Sequence, residues 1–175
     1  MRLIPGNAAF PDLFATVKSR AFHLETRDDY ASASETESLS RFRADETTDV
    51  GGEWFANWSN LIRSTTGRGV AVQRVRIVSE PHTLYTRYLL ALAKHNTAAG
   101  EDIRYLARHA ADPEAAASED FWVLDDDRVA FSLFDDNEYW VGSALTDDPK
   151  IVAHARSIRD RMWVAATRFE EYVSK

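Results

Sequence analysis

A chain of 175 residues with a formal charge of −7, 45% hydrophobic and 28% charged, has enough apolar material for one buried core and is far from the composition of disorder. The acidic balance argues against a general nucleic-acid surface, which carries a basic footprint. With no cysteine at all, disulfides, cysteine-ligated zinc, thiol catalysis and thiol redox sensing are excluded together.

The opening stretch MRLIPGNAAFPDLF lacks the unbroken apolar run of a secretory signal. No stretch approaches the roughly 18 consecutive apolar residues of a membrane span. The expectation is a cytoplasmic protein without membrane contact. Arginine outnumbers lysine 17 to 4, so an exposed arginine is weak evidence of anion binding.

Phe10, Leu13, Phe14 and Val17 show helical spacing after a Pro-Gly start. RAFHLET (20–26) alternates and reads as a short strand. Ser34 and Glu37 form a capping-box pattern for a helix to Ala44, with Leu39 and Phe42 on its buried side. Trp54, Phe55, Trp58, Leu61, Ile62 and Thr65 recur at helical spacing and end near Gly67. VAVQRVRIVS (70–79) is a strand stopped by Pro81. Leu84, Tyr85, Tyr88, Leu89, Leu92 and His95 then mark a helix of about four turns, closed by Gly100. DIRYLA is a strand, and the Ala-rich stretch 109–120 reads as a mobile loop with a short helical turn. FWVL, RVAFSLF and EYWVGSAL are three further strands. Asp147 and Asp148 cap a last helix with Pro149 in its first turn and an apolar face from Ile151 to Phe169.

From residue 69 the order is therefore β-α-β-β-β-β-α, preceded over 1–68 by a mostly helical segment with one early strand. The expected fold is a single α+β domain over 1–175, a mixed, mainly antiparallel sheet packed by helices.

Two candidate sites emerge. Arg74 and Arg76 project from one face of their strand because side chains alternate with period two, and Glu80 follows at its end. Tyr85, Arg87 and Tyr88 lie on the next helix, and Arg104 and Tyr105 on the strand after it. Guanidinium forks and phenols meeting at strand ends hold a phosphate or carboxylate bidentately. The competing reading is a structural network pairing Arg74 and Arg76 with Glu80, Glu101 or Asp102. The second candidate is the pair of acid knots, Asp125–Asp126–Asp127 and Asp135–Asp136, which a divalent metal would use in a hydrolase. Both knots sit where hairpins require turns, and Asp is favoured there for its own sake. No calcium-loop spacing is present, so turns are the expectation. The histidines show no zinc spacing, and neither a nucleophile elbow nor a P-loop occurs. His95 reads as a helix-end cation, His23 as a satisfied structural residue, and Trp122, Trp140 and Trp163 as core.

The phrases MRLIPG, QRVRIVSEP, AGEDIRYLAR and DFWVLDDDRVAFSLFDD resemble an uncharacterised actinobacterial family, which runs R-L-I-P-G, R-V-R-V-V-S-E-P, A-G-E-D-I-R-Y-L and F-W-L-F-D-D. Its members are often encoded near helix-turn-helix regulators, so the resemblance implies a regulatory neighbourhood and no particular reaction. The second half is also similar to half-domains of the phospholipase D fold. Active members of that superfamily carry H-x-K-x4-D, and no histidine here is followed two residues later by lysine. This resemblance implies a non-catalytic version, with a ligand site surviving as the arginine cluster and a homodimer by analogy with half-domains that pair. The functional expectation is a non-enzymatic regulatory or signalling domain without a cofactor. It would bind a protein, such as a helix-turn-helix regulator, or a small anionic ligand, with no direct nucleic-acid contact. The alternative is a metal-dependent phosphodiesterase or other hydrolase using Asp125, Asp126, Asp135 or Asp136.

Overall fold

The computed structural model describes residues 1–6 and 10–174. Eight strands form one sheet in the order β1-β7-β6-β5-β2-β3-β4-β8. They are β1 (Arg2–Pro5), β2 (Arg20–Glu25), β3 (Ala71–Val78), β4 (Asp102–Ala107), β5 (Phe121–Leu124), β6 (Arg128–Phe134), β7 (Trp140–Thr146) and β8 (Thr167–Arg168). β2, β3 and β4 run parallel, and the other five pairings are antiparallel. This is the mixed, mainly antiparallel sheet that the sequence implies. The early strand β2 lies at its centre, so residues 1–68 are built into the same body as the rest.

Strand alternation divides the core in two. Phe22, Leu24, Val75, Ile77, Phe121 and Val123 face the long helix α6 (Pro149–Ala165), which buries Val152, Ala155, Ile158 and Met162 against them. Asp148 caps α6 by accepting from the amides of Lys150 (2.9 Å) and Ile151 (3.2 Å), with Pro149 in the first turn. The helix stops at Ala165, earlier than its apolar pattern suggests. Phe169 belongs to the short helix α7 (Phe169–Tyr172), which packs on Tyr105 instead.

The opposite face carries Ala21, Val72, Trp122, Leu124, Ala130 and Leu145. It is covered by α1 (Phe10–Ala15) and α3 (Ala56–Gly67). α4 (Leu84–Ala99) crosses β3 and β4 on this side and packs on α2 (Thr36–Ala44) through Tyr88, Leu89 and Phe42. Thr83 caps α4, and Gly100, at φ 109°, ends it in the left-handed region. The Ala-rich stretch contains a short helix α5 (Pro113–Ala116) capped by Asp112.

Two local expectations fail. The Ser34–Glu37 capping box does not form. Residues 33–35 make a 3₁₀ turn, α2 begins at Thr36 without a side-chain cap, and Glu35 turns inward to the Tyr85 hydroxyl at 2.6 Å. β1, not anticipated as a strand, docks on β7 at Gly142, where a Cβ would lie 2.4 Å from the Ile4 carbonyl oxygen and φ is 153°. Replacing Gly142 by alanine therefore forces β1 away. Urea unfolding of Gly142→Ala should show a loss of about 1–3 kcal/mol.

Candidate functional site

The chemistry-bearing side chains cluster on the sheet face beneath α3 and α4. β2 places His23 and Glu25 on that face, and β3 places Arg74 and Arg76 beside them, in the register His23↔Arg74 and Glu25↔Arg76. The Glu25 carboxylate bridges both guanidiniums, accepting from Arg74 Nη1 and from Arg76 Nε. Glu101 accepts from Arg74 Nε at 2.6 Å and is held in turn by Asn96 Nδ2 at 2.8 Å. Arg76 Nη1 donates to the Leu89 carbonyl (3.2 Å) and the Tyr105 hydroxyl (3.0 Å). Arg74, Arg76, Glu25 and Glu101 are all buried. The two guanidiniums and His23 hold the Glu25 carboxyl well below the usual range despite burial that would raise it. Arg74 also lies over the rings of Trp58 (5.6 Å) and Trp122 (5.8 Å).

The proposed anion cluster is thus only partly assembled. Arg74, Arg76 and Tyr105 come together, but their donors are directed at internal acceptors. Arg104 pairs with Val75 in register, and so points to the other side of the sheet. There it stacks on Trp163 at 3.7 Å and donates to the Trp163 carbonyl at 2.9 Å. The three arginines do not face one cavity. Arg87 points outward to a bidentate pair with Glu46, at 2.8 Å for each bond. Glu80 accepts from the Tyr172 hydroxyl at 2.7 Å, away from both arginines. Tyr85 donates to Glu35, while Tyr88 packs on Phe42 with its hydroxyl unpartnered.

The acid knots are turns whose carboxylates diverge. Asp125 (φ 51°) and Asp126 (φ 64°) form the left-handed corner between β5 and β6. Asp125 accepts from the amides of Lys18, Ser19 and Arg20, fastening the entry to β2. Asp126 pairs with Arg159 on α6, and Asp127 with Arg128. Asp135 accepts from the amides of Asn137 (2.9 Å) and Tyr139 (3.0 Å) within its own turn, and Asp136 is exposed. Among the described residues no group of three or more His, Asp or Glu is placed to hold a metal.

The sequence reading passed over Glu25, Asp120, Tyr30 and Glu35. Glu25 alternates with His23 on one strand face, so period two alone would have set those two together, while their pairing with the arginines is tertiary. Asp120 gave no such signal, because it precedes its strand. It is nearly fully buried, accepts from the Thr26 amide (2.8 Å) and hydroxyl (2.9 Å) and from the Tyr30 hydroxyl, and burial raises its pKa to about 6. His23 differs from expectation. Its ring stacks on Trp122 at 4.2 Å and an interplanar angle of 9°, yet neither nitrogen has a hydrogen-bond partner. Burial, then Arg74, lower its pKa to about 3. His95 pairs with Asp49 at 2.6 Å, a side-chain partner in place of the helix end assumed for it.

The chain belongs to the DUF6879 family, a domain of unknown function, which matches over residues 8–174. No curated protein matches its sequence. Among solved structures it is similar to Nuc from Salmonella typhimurium, a phospholipase D family member, with a TM-score of 0.59 and 11% identity over 95% of each chain. It is also similar to TrmBL2, an archaeal chromatin protein described as showing a novel mode of DNA binding, with a TM-score of 0.51 and 14% identity. That match covers 95% of this chain and 53% of TrmBL2, so the chain spans about half the length of that protein. The likeness to the phospholipase D fold therefore extends across nearly the whole chain and not only its second half. Among the described residues no helix is long and apolar enough to cross a membrane.

Two measurements test the network. Glu25→Gln leaves two buried guanidiniums without their shared counter-charge and should cost about 3–5 kcal/mol in urea unfolding, whereas Arg87→Ala should leave the midpoint unchanged. His23 binds its proton more weakly folded than unfolded, so it removes stability as pH falls from about 6.5 toward 3. Relative to His23→Phe, which keeps the stack on Trp122, the wild-type protein should lose about 2 kcal/mol between pH 7 and pH 5.

Proposed function

We propose that this member of the DUF6879 family is a non-enzymatic regulatory domain that acts by binding a protein partner. One observation carries the reading. The polar centre of the sheet is closed on itself, with the Arg74 and Arg76 guanidiniums engaged by Glu25, Glu101, Tyr105 and the Leu89 carbonyl. An incoming phosphate or carboxylate would have to displace a buried carboxylate that lies on the neighbouring strand. Of the two kinds of partner that the sequence suggests, a protein and a small anion, the geometry favours the protein. The hydrolase reading would need converging carboxylates, and Asp125, Asp126 and Asp135 are committed to three different places.

The same fold is found in an archaeal chromatin protein and in a phospholipase D family member, so the fold by itself does not imply hydrolysis. The net charge of −7 suits a basic partner, such as a DNA-binding regulator of helix-turn-helix type. An actinobacterial source, a cytoplasmic location and self-pairing into a homodimer belong to this proposal as well.

Affinity capture of the tagged full chain from its host lysate, followed by mass spectrometry and reconstitution with the purified candidate, tests it. The expected result is one stoichiometric DNA-binding regulator whose association weakens with salt. In parallel, Mg²⁺, Mn²⁺ and Ca²⁺ should leave the melting temperature unchanged. A metal-dependent rise, with hydrolysis of a phosphodiester, would overturn the proposal, because a metal at a hundredfold excess over Kd stabilises by about 2.7 kcal/mol.

A further inference from the structure

After β2 leaves the sheet, residues 26–36 cross the carboxyl ends of the central strands, where ligands of open α/β sheets bind. This connection is held mainly by polar tethers, with one aromatic anchor, the Tyr30 ring against Tyr85 and Phe134. Arg27 pairs with Glu119 and Glu138 and lies 4.2 Å over the Phe134 ring. Asp28 accepts from the Ser79 amide (2.8 Å) and hydroxyl (2.6 Å) and from Arg108 (3.1 Å). The Ala31 amide donates to the Glu138 carbonyl at 3.2 Å. Tyr30 donates to Asp120, and Glu35 accepts from Tyr85. No apolar side chain between 26 and 36 is fully buried. A segment with so little buried apolar surface opens at far lower free energy than the strands below it.

Beside it a row of polar side chains runs across the sheet through Asp120, which the strap covers. Tyr105, Arg76 and Glu25 are aligned on adjacent strands. Asp120 follows, its carbonyl accepting from the Ser132 amide at 2.8 Å, and Ser132 pairs in register with Ser143. All six are buried. A groove of about 550 Å³ lined by Arg27, Asp28, Asp29, Tyr30, Asn137 and Glu138 opens on the outside where the connection meets the β6–β7 hairpin.

We propose that residues 26–36 are a detachable strap that opens as a unit without unfolding the sheet, and that the Tyr30–Asp120 bond is its latch. Opening would uncover Asp120, where the strap meets that row, and present the strap to a partner. The device is independent of the partner reading and stands if that reading fails. It is also sensitive to protons. Burial raises the Asp120 pKa to about 6; the Tyr30 hydrogen bond works against it, and the Glu25 charge adds to it. Glu35, at the far end of the strap, is raised by burial in the same direction. The other ionisable groups around the latch are Arg27, Asp28 and Asp29 on the strap, and His23 and Glu25 on β2. Arg74 and Arg76 on β3, Tyr85 on α4, Arg108 after β4, Glu119 before β5 and Glu138 on the hairpin complete the set. Asp28 is lowered, so it titrates below the window in question, and His23 stays stacked on Trp122 within the sheet face when the strap opens. Opening returns Asp120 to the ordinary carboxylate range and releases its proton. The closed strap is therefore favoured at pH 5 over pH 7.5, by about tenfold for Asp120 alone.

Hydrogen exchange of the full chain at pH 5 and pH 7.5, expressed as protection factors, tests this. Amides of 26–36 should open without those of β2 and β3, about tenfold more at the higher pH. The Asp120→Asn, Glu35→Gln double variant should flatten the pH dependence, and Tyr30→Phe should raise opening at both values. Tyr30→Phe keeps the ring against Tyr85 and Phe134, and so carries the test if the double variant does not fold. Exchange of 26–36 only through global unfolding would overturn the strap. A pH dependence that survives in the double variant, or no effect of Tyr30→Phe, would overturn the latch.

Discussion

One carboxylate holds the centre of this protein together. Glu25, on the middle strand of the sheet, is the common counter-ion of Arg74 and Arg76, and without it two guanidiniums would be buried with a single remaining carboxylate, Glu101, between them. Burying a charge is costly unless it is paired and hydrogen-bonded, so these groups specify one register of β2 against β3. A slip of one residue would turn Glu25 toward α6 and bring Leu24 to the arginines. The helices on this side follow from the same constraint. α4 supplies the Leu89 carbonyl to Arg76 and the Asn96 amide to Glu101, so its placement is fixed by polar bonds as well as by its apolar face.

This arrangement bears on function through what it withholds. An arginine pair on a strand face looks like an anion seat, and here an internal carboxylate occupies it. The phospholipase D-like scaffold thus has a closed centre, with its charged connections placed at the strand ends. Those parts are the strap after β2 and the β6–β7 hairpin, both rich in charge and poor in buried apolar groups. The proposed binding role is therefore set at these edges and not at the sheet centre.

Much of the fold was legible in the sequence because periodicity reports burial. The strand–helix order from β3 to α6, the Gly100 stop and the Asp148 cap all follow from local rules that tertiary structure did not override. β1 was illegible because four residues ending in Pro5 carry too little pattern, and its pairing depends on the missing side chain of a distant glycine, Gly142. The capping box failed because Glu35 is drawn to Tyr85, a contact across 50 residues of chain. For the site, Arg74 and Arg76 were correctly placed on one face, and Glu101 was recognised as a counter-charge. Arg104 was misjudged because no local rule fixes the register between strands separated by a helix. Here Arg104 sits opposite Val75 and faces α6.

The central claim is that the Arg74 and Arg76 guanidiniums are bound by Glu25 and Glu101 and are closed to ligands. Side-chain ¹H–¹⁵N NMR of the two arginine Nε–H groups during a titration with inorganic phosphate tests it most directly. The account predicts two protected, slowly exchanging resonances that do not move as phosphate is added. Resonances that shift and saturate with phosphate would contradict it and restore the sheet centre as an anion site.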